Sequence, residues 1–507
     1  MKAEEKDRKV QTNVLKRSAF AFILLLMTSL SVSAQDRLPR LEPAECPFER
    51  AEWARNVNFE CKWLVVPEAR RRSNSGTIKL AVVVLKAKEP DSSPSLVFLH
   101  GGPGDSGIQR LRRFIQSKAY EHRDVVLYDQ RGAGYSEPKL CPEFKDIERE
   151  RQNLKTQKAV EEFTNAAIRK CVVSLDARID RAAYNTMESA ADMIDLRKTL
   201  GYSSWDVVSD SYGTRIAQAA VRRDGKAIHS LVLNKPVSRG PEREADVALF
   251  NQHAFERVFK DCLDQLECHK AFPTLEKDFY DIYDELNKTP ISVHDEQNSK
   301  LTTVVLDGSR FVERIRNDVL SPANPERLAR LPLLINEFRR GDKTRAARTL
   351  VGYNPRTVIG GDSVLVNLMT CADVYGSQFR NMRRAINAKV RRPFRRDLME
   401  NCKLWQKQFA NPSDWQPVRS DVPTLILTGR YDDRTPTELA KQIAATFTRS
   451  YLYEFPNEGH GPPPMGCHAQ LIFKFSANPI REPDASCIKS IPPIRFITSW
   501  QESSSLP

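Results

Sequence analysis

Trp205-Asp206-Val207-Val208-Ser209-Asp210-Ser211-Tyr212-Gly213-Thr214-Arg215 is the stretch on which the fold turns. Trp205 to Val208 read as a short buried strand, and Thr214 to Arg222 carry a helical pattern. Ser211 therefore sits on a strand–turn–helix corner, the context of a G-x-S-x-G nucleophile elbow. Such a corner needs small residues two before and two after the serine, or side chains collide with the strand and the helix. Gly213 meets the requirement, and Ser209 stands where a glycine is usual. An ordinary turn whose serine caps a helix gives a similar pentapeptide, so the reading depends on partners elsewhere.

A serine nucleophile needs a base, and the base needs a carboxylate to orient it. On this kind of sheet they follow the serine as acid, then histidine. Beyond Pro423 the histidines are His460 and His468. His460 lies in Glu458-Gly459-His460-Gly461, just after the strand pattern at 451–455, and its flanking glycines suit a close loop. His468 sits beside Cys467 in a helical segment. Gly429-Arg430-Tyr431-Asp432-Asp433-Arg434-Thr435-Pro436 supplies the acid after the strand pattern at 424–427. Asp432 and Asp433 are adjacent, so only one can face the histidine.

The tetrahedral intermediate of acyl transfer also needs fixed N–H donors. His100-Gly101-Gly102-Pro103-Gly104 directly follows the strand pattern at 96–99, and its glycines let backbone approach a substrate. Tyr212, the residue after the serine, gives one expected donor, and Gly102 the other, with Gly101 as the alternative. The order of the triad leaves His100 a structural place.

Further β-branched runs at 78–85, 125–128 and 231–233 are separated by helical patterns. Near-continuous apolar strands between helices predict a mostly parallel sheet covered on both faces. From Lys235 to about Pro417 the chain is rich in Arg, Lys, Glu and Leu at helical spacing, with 304–306 as one strand candidate. The predicted organisation is an α/β core in two segments, 35–235 and 416–507, with a mainly helical insertion at 236–415 over the carboxyl ends of the strands.

The chain has 507 residues, 40% apolar and 28% charged, enough to bury a large core. The 31 prolines and 21 glycines show no short period, and no repeat suggests a solenoid. Before Ala19 stand Lys2, Lys6, Arg8, Lys9, Lys16 and Arg17; an apolar run to Leu30 and Val32-Ser33-Ala34 follow. A basic head, a short apolar stretch and a small-residue end predict a signal peptide over 1–34, too short to span a bilayer. After its removal no membrane span is expected, and the protein is predicted to be periplasmic or secreted. The net charge of +13 includes Arg70-Arg71-Arg72 and KVRRPFRR (389–396). With no nucleic-acid motif present, these read as solvated surface rather than a nucleic-acid site.

All ten cysteines lie beyond residue 34. An even count in an exported chain reads as disulfides. The simplest pairing joins sequential neighbours: 46–61, 141–171, 262–268, 371–402 and 467–487. Cys262, Cys268 and His269 match no zinc spacing, so no metal is expected.

HGGPGDSG (100–107), DQRGAGYSEP (129–138), SDSYGTR (209–215), GRYDDRTP (429–436) and GHG (459–461) occur in this order. Together they resemble the α/β-hydrolases of the prolyl iminopeptidase and tripeptidyl aminopeptidase type, nearer the exported branch. The resemblance covers the core well and the insertion poorly. It implies an α/β-hydrolase core with a helical cap, no cofactor, and an aminopeptidase acting on peptides with a free amino terminus. It implies Ser211 as nucleophile, His460 as base and Asp432 as acid. It also implies a carboxylate that holds the substrate ammonium. Cys371-Ala372-Asp373 resembles the cap segment that turns back toward the site, which makes Asp373 a candidate, and Asp105 is a second. Asp105 and Ser209 depart from the usual glycines, and Asn234-Lys235-Pro236 lacks the acid often found at the cap entrance. The alternatives are an esterase on the same triad and a non-catalytic binding protein that kept the fold.

Overall fold

The computed structural model describes residues 38–500, apart from 50–51, 118, 152–153, 155–156, 239–241, 296–301, 321–323, 353–362, 375–376, 396–401, 407–410 and 462–465. The expected leader, 1–34, lies outside the described residues.

The strands are β1 (Arg40–Pro43), β2 (Phe59–Pro67), β3 (Thr77–Leu85), β4 (Ser95–Leu99), β5 (Val125–Tyr128), β6 (Trp205–Asp210), β7 (Ile228–Asn234), β8 (Ile291–Asp295), β9 (Thr302–Leu306), β10 (Thr424–Gly429) and β11 (Ser450–Phe455). Nine form one sheet in the order β1-β2-β3-β5-β4-β6-β7-β10-β11. From β5 to β11 neighbours are parallel, and β1 to β3 join as antiparallel strands at one side. This is an α/β-hydrolase fold with a mostly parallel sheet.

β4 shows why these residues make a central strand. Leu96 and Phe98 point into a core shared with the helix Cys467–Ala477, and Val97 and Leu99 into one shared with Tyr212–Asp224. Both faces are covered, so the run is apolar throughout. The chain leaves β4 for β5 on one side, and β6 lies on the other. That reversal opens a crevice at the carboxyl ends of β4 and β6, where open α/β sheets place their ligands.

The strand patterns read from the sequence lie within the observed strands; β1 and β2 were not foreseen. β2 (FECKWLVVP) mixes polar and apolar residues because it lies toward the antiparallel side, so it lacks the continuous apolar signature. In the insertion, β8 and β9 form a separate hairpin, of which only 304–306 was anticipated.

Hydrophobic contacts do not follow the expected boundary at 236–415. A second core gathers Phe255, Phe279, Phe311, Phe338 and Phe394, but also Tyr431, Ile494 and Phe496 from beyond residue 415. Conversely, Val364, Leu368, Met369 and Trp405 pack into the main core. The insertion thus has its own core, to which Val390 and Phe394 belong, while the segments around 364–371 and 402–405 fold back onto the α/β layer.

The five disulfides join Cys46–Cys61, Cys141–Cys171, Cys262–Cys268, Cys371–Cys402 and Cys467–Cys487, the sequential pairing. Cys262 and Cys268 are therefore spent as a disulfide and offer no thiolate. No helix among the described residues is long and apolar enough to cross a membrane.

Candidate active site

Sheet register brings the expected loops together. β4 pairs with β6 so that Leu99 lies opposite Ser209, and the loop at 100–104 emerges beside Ser211. β7 and β10 follow, and β11 pairs with β10 so that Gly429 meets Phe455. The loops carrying Asp432 and His460 therefore rise from adjacent strands on the same end of the sheet.

Ser211 holds φ 49° and ψ −121°, a conformation that non-glycine residues seldom adopt. Its amide donates to Asn234 O at 3.0 Å, and its carbonyl accepts from Thr214 N at 2.9 Å and Thr214 Oγ1 at 2.6 Å. Gly213 is needed here, because a Cβ on it would lie 2.3 Å from Leu99 O. Ser209 fits the other small position by burying its hydroxyl as a donor to Val232 O at 2.7 Å.

Ser211 Oγ lies 2.9 Å from His460 Nε2, and His460 Nδ1 lies 3.0 Å from both Asp432 carboxylate oxygens. Asp432 is fully buried, and it accepts further bonds from Arg434 N (2.8 Å), Thr435 N (2.7 Å) and Thr435 Oγ1 (2.8 Å). Burial alone would raise its carboxyl; the charge and hydrogen bond of His460, the Lys235 ammonium and the Thr435 amide outweigh it and hold Asp432 well below the usual carboxylate range. Asp433 behaves oppositely. Neither of its oxygens accepts a hydrogen bond among the described residues, and the nearest guanidinium nitrogen, Arg316 Nε, is 4.0 Å away. Burial raises its carboxyl despite Arg434 and Arg316. The two adjacent aspartates are thus separated by their partners. The extra donors from Arg434 and Thr435 were not assigned from the sequence, although an Asp whose amide partners lie two and three residues on has the form of an Asx turn.

Gly101 packs against the serine, with a Cβ placed on it 2.9 Å from Ser211 Cβ, and Gly102 holds φ +105°. No acceptor among the described residues takes the Gly102 amide. His100 Nε2 lies 2.7 Å from Arg110 Nε, and Nδ1 lies 2.6 Å from the Gly101 nitrogen. The Gly101 amide hydrogen points at Nδ1, so it is directed at the His100 ring and not at the serine. Burial lowers the His100 pKa, with Arg110 acting the same way and Asp105 against, consistent with a neutral ring. Tyr212, 5% exposed, directs its hydroxyl away to Thr186 Oγ1 at 2.7 Å.

The two candidates for an ammonium partner are placed differently. Asp105 is partly exposed and stands 3.7 Å from His100 Nδ1, beside the glycine loop. Asp373 is buried under the elbow. It accepts from Thr186 N at 3.2 Å and Thr186 Oγ1 at 2.5 Å and lies 3.5 Å from Arg215. Within the protein Asp373 thus braces Thr186 and, through it, the Tyr212 hydroxyl.

Comparison with known proteins agrees with the motifs. A family model for the alpha/beta hydrolase fold matches residues 94–269, and one for TAP-like proteins matches 388–487. The chain is 28% identical over 221 residues to serine protease Hip1 of Mycobacterium tuberculosis, covering 41% of this chain and 42% of that protein. It is 40% identical over 93 residues to a proline iminopeptidase of Arabidopsis thaliana, covering 16% and 23%, and 27% identical over 172 residues to one of Xanthomonas citri, covering 34% and 40%. The chain thus spans less than half the length of these relatives.

Proposed function

We propose, from the premise that this chain is an α/β-hydrolase of the proline iminopeptidase and TAP-like type, that it is an exported serine aminopeptidase acting on peptides with a free amino terminus. The observation that carries the reading is the continuous hydrogen-bonded series Ser211–His460–Asp432. In the mechanism, His460 Nε2 takes the Ser211 proton as Oγ attacks the substrate carbonyl carbon. Asp432 holds the ring with Nδ1–H toward it and offsets the imidazolium charge. The amides of Tyr212 and Gly102 meet the developing oxyanion. His460 then gives its proton to the leaving amine, the C–N bond breaks, and an acyl group remains on Ser211. Water, losing a proton to His460, attacks this ester, and the acid leaves as the proton returns to Ser211. Apart from that water, these steps use protein groups.

Export is supported by the leader pattern and by ten cysteines all joined in disulfides, which persist in oxidising compartments. Asp105, the more exposed of the two candidates, and Asp373 are the groups to meet a substrate ammonium. A general acyl hydrolase on the same triad is the second reading, and the engagement of Asp373 with Arg215 favours it. Hydrolysis of free versus N-acetylated peptide amides separates the two, with Ser211→Ala as control. Loss of activity on acetylation supports the aminopeptidase; equal rates on both leave only the acyl hydrolase.

A further inference from the structure

Beneath the histidine loop lies a buried charged cluster that makes no hydrogen bond to the triad side chains. Lys235, the first residue after β7, is 2% exposed and holds φ +52°. A long side chain rarely adopts that backbone, and a lysine is rarely buried so deeply. Both features need a compensating structure around them. Lys235 N donates to Leu427 O at 2.7 Å, tying the turn to β10. Lys235 Nζ donates to Gly461 O at 2.6 Å and stands 3.3 Å from Glu458 Oε2. Glu458 also accepts from His468 Nε2, at 2.9 and 3.0 Å to its two oxygens, and Phe455 stacks on the His468 ring with centroids 3.7 Å apart.

The partners of the ammonium flank one residue. Gly461 follows His460, and Glu458 precedes it by two. One side chain from β7 therefore grips both arms of the loop that presents His460 to Ser211. Tyr431 N donates to Glu458 O at 2.9 Å and His460 is bonded to Asp432, so the loop is also held from the acid side, and the lysine adds the tie from Gly461. Glu458 and His468 complete the cluster by keeping the ammonium paired.

We infer that Lys235 is a positioning residue for His460, holding its loop in the geometry in which Nε2 reaches Ser211. This rests on the reading of His460 as the base. A side chain that merely fills space would be replaceable by an apolar one of equal length, whereas a positioning ammonium is not. Misplacing a reacting group by about 1 Å costs on the order of 100-fold in rate, so the effect belongs in kcat rather than in KM.

The test compares wild type, Lys235→Met, Lys235→Arg and Lys235→Gly, with Ser211→Ala as blank. Each is assayed on a peptide amide that the wild type cleaves, and by the rate at which a fluorophosphonate labels Ser211. The expected result for Lys235→Met is a fall of about 10- to 100-fold in kcat and in labelling rate with KM within twofold. Lys235→Arg should recover most of it. Lys235→Gly relieves the backbone but should lose activity as Lys235→Met does, separating the contact from the strain. If Lys235→Met fails to fold, Lys235→Met combined with Glu458→Gln removes both charges together and carries the same comparison. Wild-type kcat and labelling in the apolar variants, with only the melting temperature lowered, would overturn the inference. A wild type that the phosphonate does not label at Ser211 would overturn the serine-hydrolase reading itself, and this inference with it.

Discussion

Ser211 Oγ stands 2.9 Å from His460 Nε2, although 249 residues separate them along the chain. The contact exists because β6 and β11 end on the same side of one sheet. If this pair carries out acyl transfer, Ser211→Ala and His460→Gln each lower kcat by about 10³- to 10⁶-fold. Asp432→Asn lowers it by about 10⁴-fold, since the amide favours the wrong tautomer. Asp433→Asn has no bond to His460 to lose, and its kcat stays within about tenfold of wild type, a small positional effect beside the losses of the triad. Steady-state rates on one peptide amide check the series; an Asp433 variant as impaired as the Asp432 one would reverse the assignment.

Asp373→Asn is expected to damage stability. Removing one partner of a buried ion pair costs about 3–5 kcal/mol, because Arg215 is left facing a neutral group. Urea unfolding measures this. Asp105→Asn, in contrast, is expected to raise KM for free-amine peptides and leave acetylated ones unaffected. A KM defect confined to free amines in the Asp373 variant, with normal stability, would place that residue in the binding site.

The acid limb of stability is expected to depend on Asp192. Its carboxylate accepts two bonds from Arg131, both 2.8 Å, and one from Arg70 at 2.7 Å. Burial opposes ionisation there, but the two guanidinium groups win and lower the pKa. The unfolded chain therefore binds this proton more readily. The stabilisation is present above the ordinary carboxylate value of about 3.9 and is lost as pH falls below it toward the folded value. Asp192→Asn should be less stable at neutral pH, and its stability should fall less steeply below pH about 4. Equal acid slopes for the two proteins would refute the prediction.

His229 acts in the other direction. Its hydrogen bond to Asp206, 2.7 Å from Nδ1, raises the imidazole pKa against the opposing effect of burial. The stabilisation is complete below the ordinary value of about 6.5 and fades as pH rises through the raised folded value. His229→Gln should flatten stability over that alkaline window, as followed by melting temperature against pH. A variant that keeps the wild-type slope would show that the pair does not titrate in this way.

Reduction should affect the disulfides unequally. Cys371–Cys402 closes a loop of separation 31 and Cys262–Cys268 one of 6. On loop entropy alone, replacing the first pair by serines costs about 3.6 kcal/mol and the second about 2 kcal/mol. Unfolding of the two double variants under non-reducing conditions tests the order. The longer loop also ties the helix Ser363–Val374 to Cys402–Trp405 within the main core, so its loss should loosen the elbow side of the fold.

Much of this protein is determined locally. The strand-to-helix corner at Ser211 needs Gly213 because backbone packs within van der Waals distance of it, and that requirement is visible in five residues. The continuous apolar runs of β4, β5 and β6 mark strands buried on both faces, so a mostly parallel sheet was legible. The glycine loop at 100–104, the two aspartates and the glycine-flanked His460 were legible for the same reason: each needs particular residue types at short range.

What only the tertiary structure decided is which groups share a neighbourhood across long separations. Asp432 and Asp433 are the same residue type one position apart; the resemblance pointed to Asp432, and packing supplies the reason, giving one His460 and leaving the other 4.0 Å from Arg316. Asp373 carries no local sign that Arg215 and Thr186 would enclose it. Lys235, Glu458 and His468 look like unrelated polar residues until β7, the histidine loop and the helix after it are stacked. Local sterics and periodicity act over a few residues and leave a mark in the sequence. The pairing of buried charges depends on desolvation by the whole fold, and it leaves none.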